Sequence, residues 1–282
     1  MMWKQKIGIS LAKEYPIPTP QVIAIIAKQG FDAVSPLWRP ELDLRPIVEA
    51  AREAGLALQS LHAPFKHTAK VWSKDPEISR SAVEELLEAL EDCHRFGIPT
   101  MVLHTWIGFD YTDAPTEEGL VNFGILVEKA KEYGIDLAFE NTEGEEFLAA
   151  LLERFAEEAH VGFCWDSGHE QCYSRGEDLL AKWGDRLMMT HLNDNLGISR
   201  FDGRIHCYDD LHLLPYDGII DWSDAITRLK KARKQEYLNF ELARGNGYGR
   251  HECDGYAALP LEQYFAECYK RACRVAARYA DL

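Results

Sequence analysis

The chain has 282 residues, of which 46% are hydrophobic and 7 are Trp, and it contains no low-complexity run, so intrinsic disorder is excluded. No stretch approaches the ~20 consecutive apolar residues a membrane helix needs, and the opening residues 1–6 have no apolar segment or small-residue cleavage site behind them. With 31 basic against 46 acidic residues the net charge is −15, which repels polyphosphates on average and counts against nucleic acid as a partner.

Hydrophobic period and chain breakers give the elements in order. A strand at 6–10 leads to a helix opened by Thr19-Pro20 and closed at Gly30. A strand at 33–38 precedes a helix from Asp43, with Pro46 in its first turn, that ends at Gly55. Strand 56–62 finishes in Leu61-His62-Ala63-Pro64. The helix over 76–96 carries Val83, Leu86, Leu87, Leu90 and Cys93 on one stripe and stops at Gly97. Strand 100–106 is followed by a helix from 117, with Leu120, Phe123, Val127 and Ala130 inward, that stops at Gly134. Strand 135–141, helix 145–158, strand 161–166, helix 176–183 and strand 187–193 come next. After a long loop, a helix runs from Asp221 to Lys234, the last strand is 237–243, and a final helix covers 260–280.

Eight β–α units in this length predict a (β/α)8 barrel formed by one domain over 1–282. A doubly wound open sheet would carry a glycine-rich loop after its first strand, and Ile9-Ser10-Leu11-Ala12 offers none. The 7 Cys contain no CxxC pair and read as reduced thiols, which suits a cytoplasmic protein.

Alternate residues of a strand face opposite sides. Ala138 and Glu140 therefore share a face opposite Leu137 and Phe139. Gly162, Cys164 and Asp166 oppose Phe163 and Trp165, and Asn239, Glu241 and Ala243 oppose Leu238, Phe240 and Leu242. In each case a carboxylate follows small residues near a strand's C-terminal end, where barrel active sites lie. His62, His104 and His191 also sit near strand ends, His169 follows Asp166 by three residues, and His212 follows Asp210 by two. One such residue is most simply a hydrogen-bonded polar group. Nine converging on one mouth predict a cation that offsets the cost of their burial, and imidazole with carboxylate is a ligand set for Zn²⁺, Mn²⁺ or Fe²⁺. The other five histidines, His67, His94, His160, His206 and His251, are expected on helices, loops and the surface. Trp38, Trp72 and Trp106 lie near strand ends and serve equally well as a sugar-stacking lining or as packing.

The motifs Leu61-His62-Ala63-Pro64, Phe139-Glu140-Asn141-Thr142, Asp166-Ser167-Gly168-His169 and His191-Leu192-Asn193-Asp194 occur in this order. They are followed by Asp210-Leu211-His212-Leu213-Leu214-Pro215, Asp217-Gly218-Ile219-Ile220-Asp221-Trp222 and Phe240-Glu241-Leu242. Together they resemble the xylose isomerase-like barrel superfamily, in its sugar phosphate isomerase/epimerase branch, from about residue 6 to 280. The resemblance implies a divalent metal ion (Mn, Zn, Mg, Co or Fe) held by Glu140, Asp166, His191 and Glu241. Glu140 and Glu241 are then the acid/base pair, and Glu146 and His169 orient the substrate, as in ketose 3-epimerases. The arginine those epimerases carry six residues after the ligand histidine is absent, because position 197 is Gly; Arg200 and Arg204 are the candidates to replace it.

The implied activity is metal-dependent isomerisation or epimerisation of a small sugar, polyol-derived ketone or sugar phosphate, in a chain compatible with a homo-oligomer. The superfamily also contains endonuclease IV-type AP endonucleases, whose nine metal ligands match His62, His104, Glu140, Asp166, His169, His191, Asp210, His212 and Glu241. It contains dehydratases of inososes and dehydroshikimate too, and a barrel that binds without catalysis is a further reading. The flanking motifs and the acidic charge favour the isomerase branch with one catalytic metal, and His62, His104, Asp210 and His212 then serve as supporting or substrate-binding groups.

Overall fold

The computed structural model describes residues 5–11, 15–109, 111–174, 176–200 and 204–281. Nine strand segments form: β1 Lys6–Ser10, β2 Ala33–Ser35, β3 Ala57–Leu58, β4 Leu61–His62, β5 Thr100–His104, β6 Asp136–Glu140, β7 Val161–Asp166, β8 Leu187–His191 and β9 Tyr237–Phe240. All pair in parallel, in the orders β3-β2-β1-β9 and β4-β5-β6-β7-β8. Parallel bridges Leu37–His62 and Leu192–Phe240 join the two runs at both seams. β3 and β4 are two pieces of one barrel strand, so the ring has the eight positions of a TIM barrel.

The deviations from the expected boundaries have local causes. β2 stops at Ser35 because Pro36 has no N–H to give the ladder. The strand expected over 56–62 breaks at Gln59-Ser60, where Gln59 Nε2 reaches Met189 Sδ at 3.1 Å and Ser60 Oγ donates to Ser35 Oγ at 2.9 Å. In place of one helix over 176–183 there are two, Ser167–Tyr173 and Leu179–Trp183. The helix expected over 145–158 ends at Arg154.

The long outer helices start and stop where their residue types dictate. Asp75 accepts the Glu77 N–H at the start of Pro76–Phe96, and Thr116 accepts the Gly119 N–H at the start of Glu117–Tyr133. Gly97 and Gly134 end these helices at φ 67 and 66, the left-handed region that only glycine enters without steric cost. The inner stripe Val83, Leu86, Leu90 and Cys93 is buried against the barrel wall, and truncating such a leucine to alanine costs about 2–5 kcal/mol.

Inside the barrel, Val102, Ala138, Cys164 and Met189 form a separate small apolar cluster, while the bulky alternates Phe139, Phe163, Trp165 and Phe240 pack under the helices. This is the parity read from the sequence. One irregularity lies beyond parity: the β7–β8 register slips between Phe163 and Cys164. The extra residue, Met188, also packs on the interior cluster, and after the slip Asp166 stands beside His191. The ladder further places His104 beside Glu140. Across the seam, the Glu241 N–H donates to Leu192 O at 3.2 Å. Backbone pairing alone thus brings the strand-borne polar residues together.

Candidate metal centre and active-site cavity

The C-terminal ends of the strands open into a cavity of about 290 Å³. His62, His104, Glu140, His169, Asp210, His212 and Glu241 line it. Asp166 and His191 lie beneath its floor, 0% and 1% exposed. His67, His94, His160, His206 and His251 are outside it, as expected.

Ligand-type atoms of His62, Glu140, His191 and Glu241 all fall within 4.8 Å of one another. Three further groups meet the same condition: Glu140, Asp166 and His169; Asp166, His212 and Glu241; and His169, Asp210 and His212. The four residues expected as the ligand set therefore sit in overlapping groups, with His62 rather than Asp166 in the tightest foursome. His191 Nδ1 is 2.9 Å from both Glu140 Oε1 and Glu241 Oε2. Glu140 Oε2 faces His62 Nε2 at 3.3 Å and His104 Nε2 at 3.5 Å.

The surroundings fix these side chains. His62 Nδ1 donates to Ala63 O at 2.8 Å, His169 Nδ1 to Asn141 O at 2.9 Å, and His212 Nδ1 to Glu241 O at 3.3 Å. Each bond places a proton on Nδ1; Nε2 faces Glu140 Oε2 in His62, and Asp210 Oδ2 in His169 and His212 at 3.4 and 3.0 Å. Asp166 Oδ1 accepts the His169 N–H at 2.7 Å and its Oδ2 accepts Asn193 Nδ2 at 2.9 Å. Gly168 is required there, because a Cβ would come within 1.9 Å of Asn193 Oδ1. Asp194, three residues past the end of β8, accepts the N–H groups of Asn195, Tyr216 and Ile220 and the indole N–H of Trp222 at 2.8–3.1 Å. That carboxylate latches the loop carrying Asp210 and His212. His212 itself has φ 48, a conformation that costs an L-residue about 1–2 kcal/mol.

Protonation follows from burial and proximity. Burial raises the Glu140 carboxyl, but His191, His169 and His62 more than reverse this and hold it well below the usual range. Glu241 is likewise lowered, against burial, by His191 and His212. Burial lowers His191 and His169, yet both are pushed well up, by Cys164 and Glu140 at His191 and by Asp166 and Asp210 at His169. His104 is pushed down to about 3, chiefly by burial, and Asp166 up to about 6, by burial and Glu140 against His169. Glu140 Oε2, Asp210 Oδ1 and His104 Nδ1 are buried without a hydrogen-bond partner. Buried orphan acceptors among clustered imidazoles and carboxylates fit a divalent ion.

Several expectations are corrected. Glu146 is exposed, does not line the cavity, and accepts the Tyr111 hydroxyl at 2.8 Å. Neither Arg200 nor Arg204 lines the cavity, and the Arg200 guanidinium lies over the Tyr208 ring. Arg250 is the arginine at the wall. Trp38, Trp72 and Trp106 are buried packing residues; their indole N–H groups donate to Asp92, Thr105 O and Gly108 O. The aromatic lining is Phe65, Phe109, Tyr173 and Tyr248. Glu143 and Arg250 escaped the sequence reading, although both follow a strand's C-terminal end, the place barrel chemistry occupies.

A profile of the xylose isomerase-like TIM barrel family matches residues 23–278. The chain belongs to that family. The uncharacterized protein y4fM of Sinorhizobium fredii is 31% identical over 296 residues, covering 88% of this chain and 90% of its own. Among solved structures, the IOLI protein with a bound zinc atom superposes with a TM-score of 0.74 at 17% identity, covering 98% of this chain and 99% of that one. D-psicose 3-epimerase from Clostridium cellulolyticum H10, solved with D-tagatose, gives 0.72 at 15% identity over 96% and 99%. Likeness at this level of identity establishes the shared barrel. Among the described residues, no helix is long and apolar enough to cross a membrane.

Proposed function

We propose that this family member is a divalent-metal-dependent isomerase or epimerase that moves a proton next to the carbonyl of a small polyhydroxy compound. The observation that carries the reading is the pair Glu140 and Glu241, whose carboxylates both stand 2.9 Å from His191 Nδ1 at the cavity floor. Glu140, Asp166, His191 and Glu241 would hold the ion, which supplies a Lewis acid that polarises the substrate carbonyl. One glutamate, as the carboxylate, takes the proton from the neighbouring carbon, and the other, after taking up a proton from solvent, delivers that proton on the opposite face. The surrounding imidazoles hold both carboxyls low, as the one that acts as base requires. His62 Nε2 takes a substrate hydroxyl, and the Nε2 atoms of His169 and His212 fix Asp210 Oδ2 at the cavity wall, at 3.4 and 3.0 Å. Phe65, Phe109, Tyr173 and Tyr248 offer faces to the C–H side of a sugar and exclude water. Two of the structural neighbours, a zinc-bound IOLI protein and a 3-epimerase with D-tagatose, support the same chemistry.

The test is incubation with ketoses in D2O. Deuterium entering the carbon beside the carbonyl supports the reading, and its absence with every ketose, aldose and inosose offered contradicts it.

A second reading rests on the group His169, Asp210 and His212. With His62 and His104 against Glu140, it would allow up to three ions and a phosphoester hydrolase of the AP endonuclease kind. The net charge of −15 disfavours a DNA grip. Metal-dependent nicking of an abasic-site duplex at low salt would favour this reading over the first.

A further inference from the structure

The resemblance to ketose 3-epimerases assigns a substrate-orienting carboxylate to Glu146, and the fold turns that residue away. β6 passes into the helix Glu145–Arg154 through residues 141–144 alone. Gly144 makes the turn at φ 80, with its Cβ direction blocked by Phe147 at 2.9 Å and Trp106 at 3.0 Å. So short a connection leaves Glu146 in the first helical turn, facing Tyr111. The carboxylate left at the cavity wall is Glu143, which is 4% exposed. Its Oε1 accepts the Gly108 N–H at 2.8 Å. A carboxylate accepts about four hydrogen bonds, so the Gly108 bond orients Glu143 while leaving capacity for substrate hydroxyls.

The wall also lacks a spare cation. Arg250 is the one Lys or Arg among the described lining residues. It is held by Glu252 at 2.6 Å and lies 3.9 Å from Asp209. With Arg250 and Glu252 offsetting each other, Glu143 is the carboxylate left at that wall outside the imidazole cluster, where a phosphate would be unwelcome.

We infer that Glu143 is the specificity-determining residue of this cavity: it reads a hydroxyl of an unphosphorylated polyhydroxy ketone and turns away the corresponding phosphate ester. The inference rests on the isomerase or epimerase reading and names its substrate class. Glutamine at 143 retains the oxygen that accepts from Gly108, so the loop keeps its anchor while the charge is lost.

The experiment compares metal-loaded wild type, Glu143→Gln and Glu143→Ala on D-fructose, D-tagatose, D-allulose and their 6-phosphates. Solvent-deuterium uptake gives kcat and KM, calorimetry gives binding, and thermal melts confirm folding. Wild type is expected to prefer each free sugar to its phosphate. Glu143→Gln should raise KM for the best free sugar about ten- to a hundredfold, leave kcat nearly unchanged, and narrow the margin over the phosphate. A wild-type preference for a phosphate, or an unchanged KM in both variants, overturns the inference. Sugars that bind without deuterium uptake would remove the proton-transfer reading alone; Glu143 then stands or falls by the binding constants. Sugars that neither bind nor exchange overturn both.

Discussion

The mouth of the barrel carries two ligand-type clusters built by different means. Glu140, His191 and His62 sit on strands and Glu241 follows one directly, so the parallel ladder sets their spacing. His169 rides on a short helix, and Asp210 and His212 on a long loop held by the buried Asp194 carboxylate, by a backbone bridge between Asp194 and Leu213, and by the Ala243 N–H on His212 O. A ladder shared by the whole barrel is stiff, whereas a loop held by a handful of contacts has its own, lower unfolding threshold. On the proposed function, the strand-borne group would hold the metal during proton transfer and the loop-borne group would meet the substrate.

The largest effect that would break this distinction lies in turnover. Glu140→Gln and Glu241→Gln should each lower deuterium exchange by about a hundredfold or more, the usual range for a lost acid/base group. His212→Ala should keep a measurable rate. Equal losses in all three variants would erase the functional boundary between the clusters.

Metal affinity gives the next contrast. Glu241→Gln should weaken binding of Mn²⁺ or Zn²⁺ severely. His212→Ala should weaken it by at most about tenfold, as for a supporting group. Calorimetric titration of the metal-free protein distinguishes the two.

The strand-borne group was legible in the sequence because parity and the barrel rule act locally. Ala138 before Glu140 and Cys164 before Asp166 announce an inward face, and Val102, Ala138, Cys164 and Met189 do meet inside. The slip at Phe163/Cys164 has no local signature, because it depends on which residue of β8 lies opposite. The loop group was expected at the mouth from residue types and motif order, but what holds it there was not legible, since Asp194 acts on partners 22–28 residues away. Glu146 was misplaced because spacing along the chain does not show which way a side chain turns, and the four-residue turn presents Glu143 to the cavity instead. The tryptophans were ambiguous because an indole near a strand end serves stacking and packing alike.

A third effect sharpens the electrostatics. His191 and His169 titrate well above the ordinary histidine range, set against burial by their acidic neighbours. Raised folded-state values stabilise the metal-free protein fully below the unfolded histidine pKa of about 6.5, and that stability is lost as pH rises through the folded values. A metal must displace these protons. Binding should therefore release protons, weaken as pH falls from 8 to 6, and flatten the alkaline loss of thermal stability. Titrations in buffers of different ionisation enthalpy measure the release, and pH-independent binding would contradict the protonation pattern.

A smaller effect concerns the latch. Asp194→Ala leaves three backbone N–H groups and the Trp222 indole without their acceptor and should cost about 2–4 kcal/mol. Hydrogen exchange should rise first across residues 204–222, with β5–β8 protected. Uniform loss of protection would show that the loop and the strands unfold together.

The most direct measurement is an anomalous-scattering map of Mn²⁺-loaded crystals. A single peak coordinated by Glu140, Asp166, His191 and Glu241 is the predicted result. No peak among those residues, or three peaks that also engage His104 and the trio His169, Asp210 and His212, would contradict one-metal proton transfer.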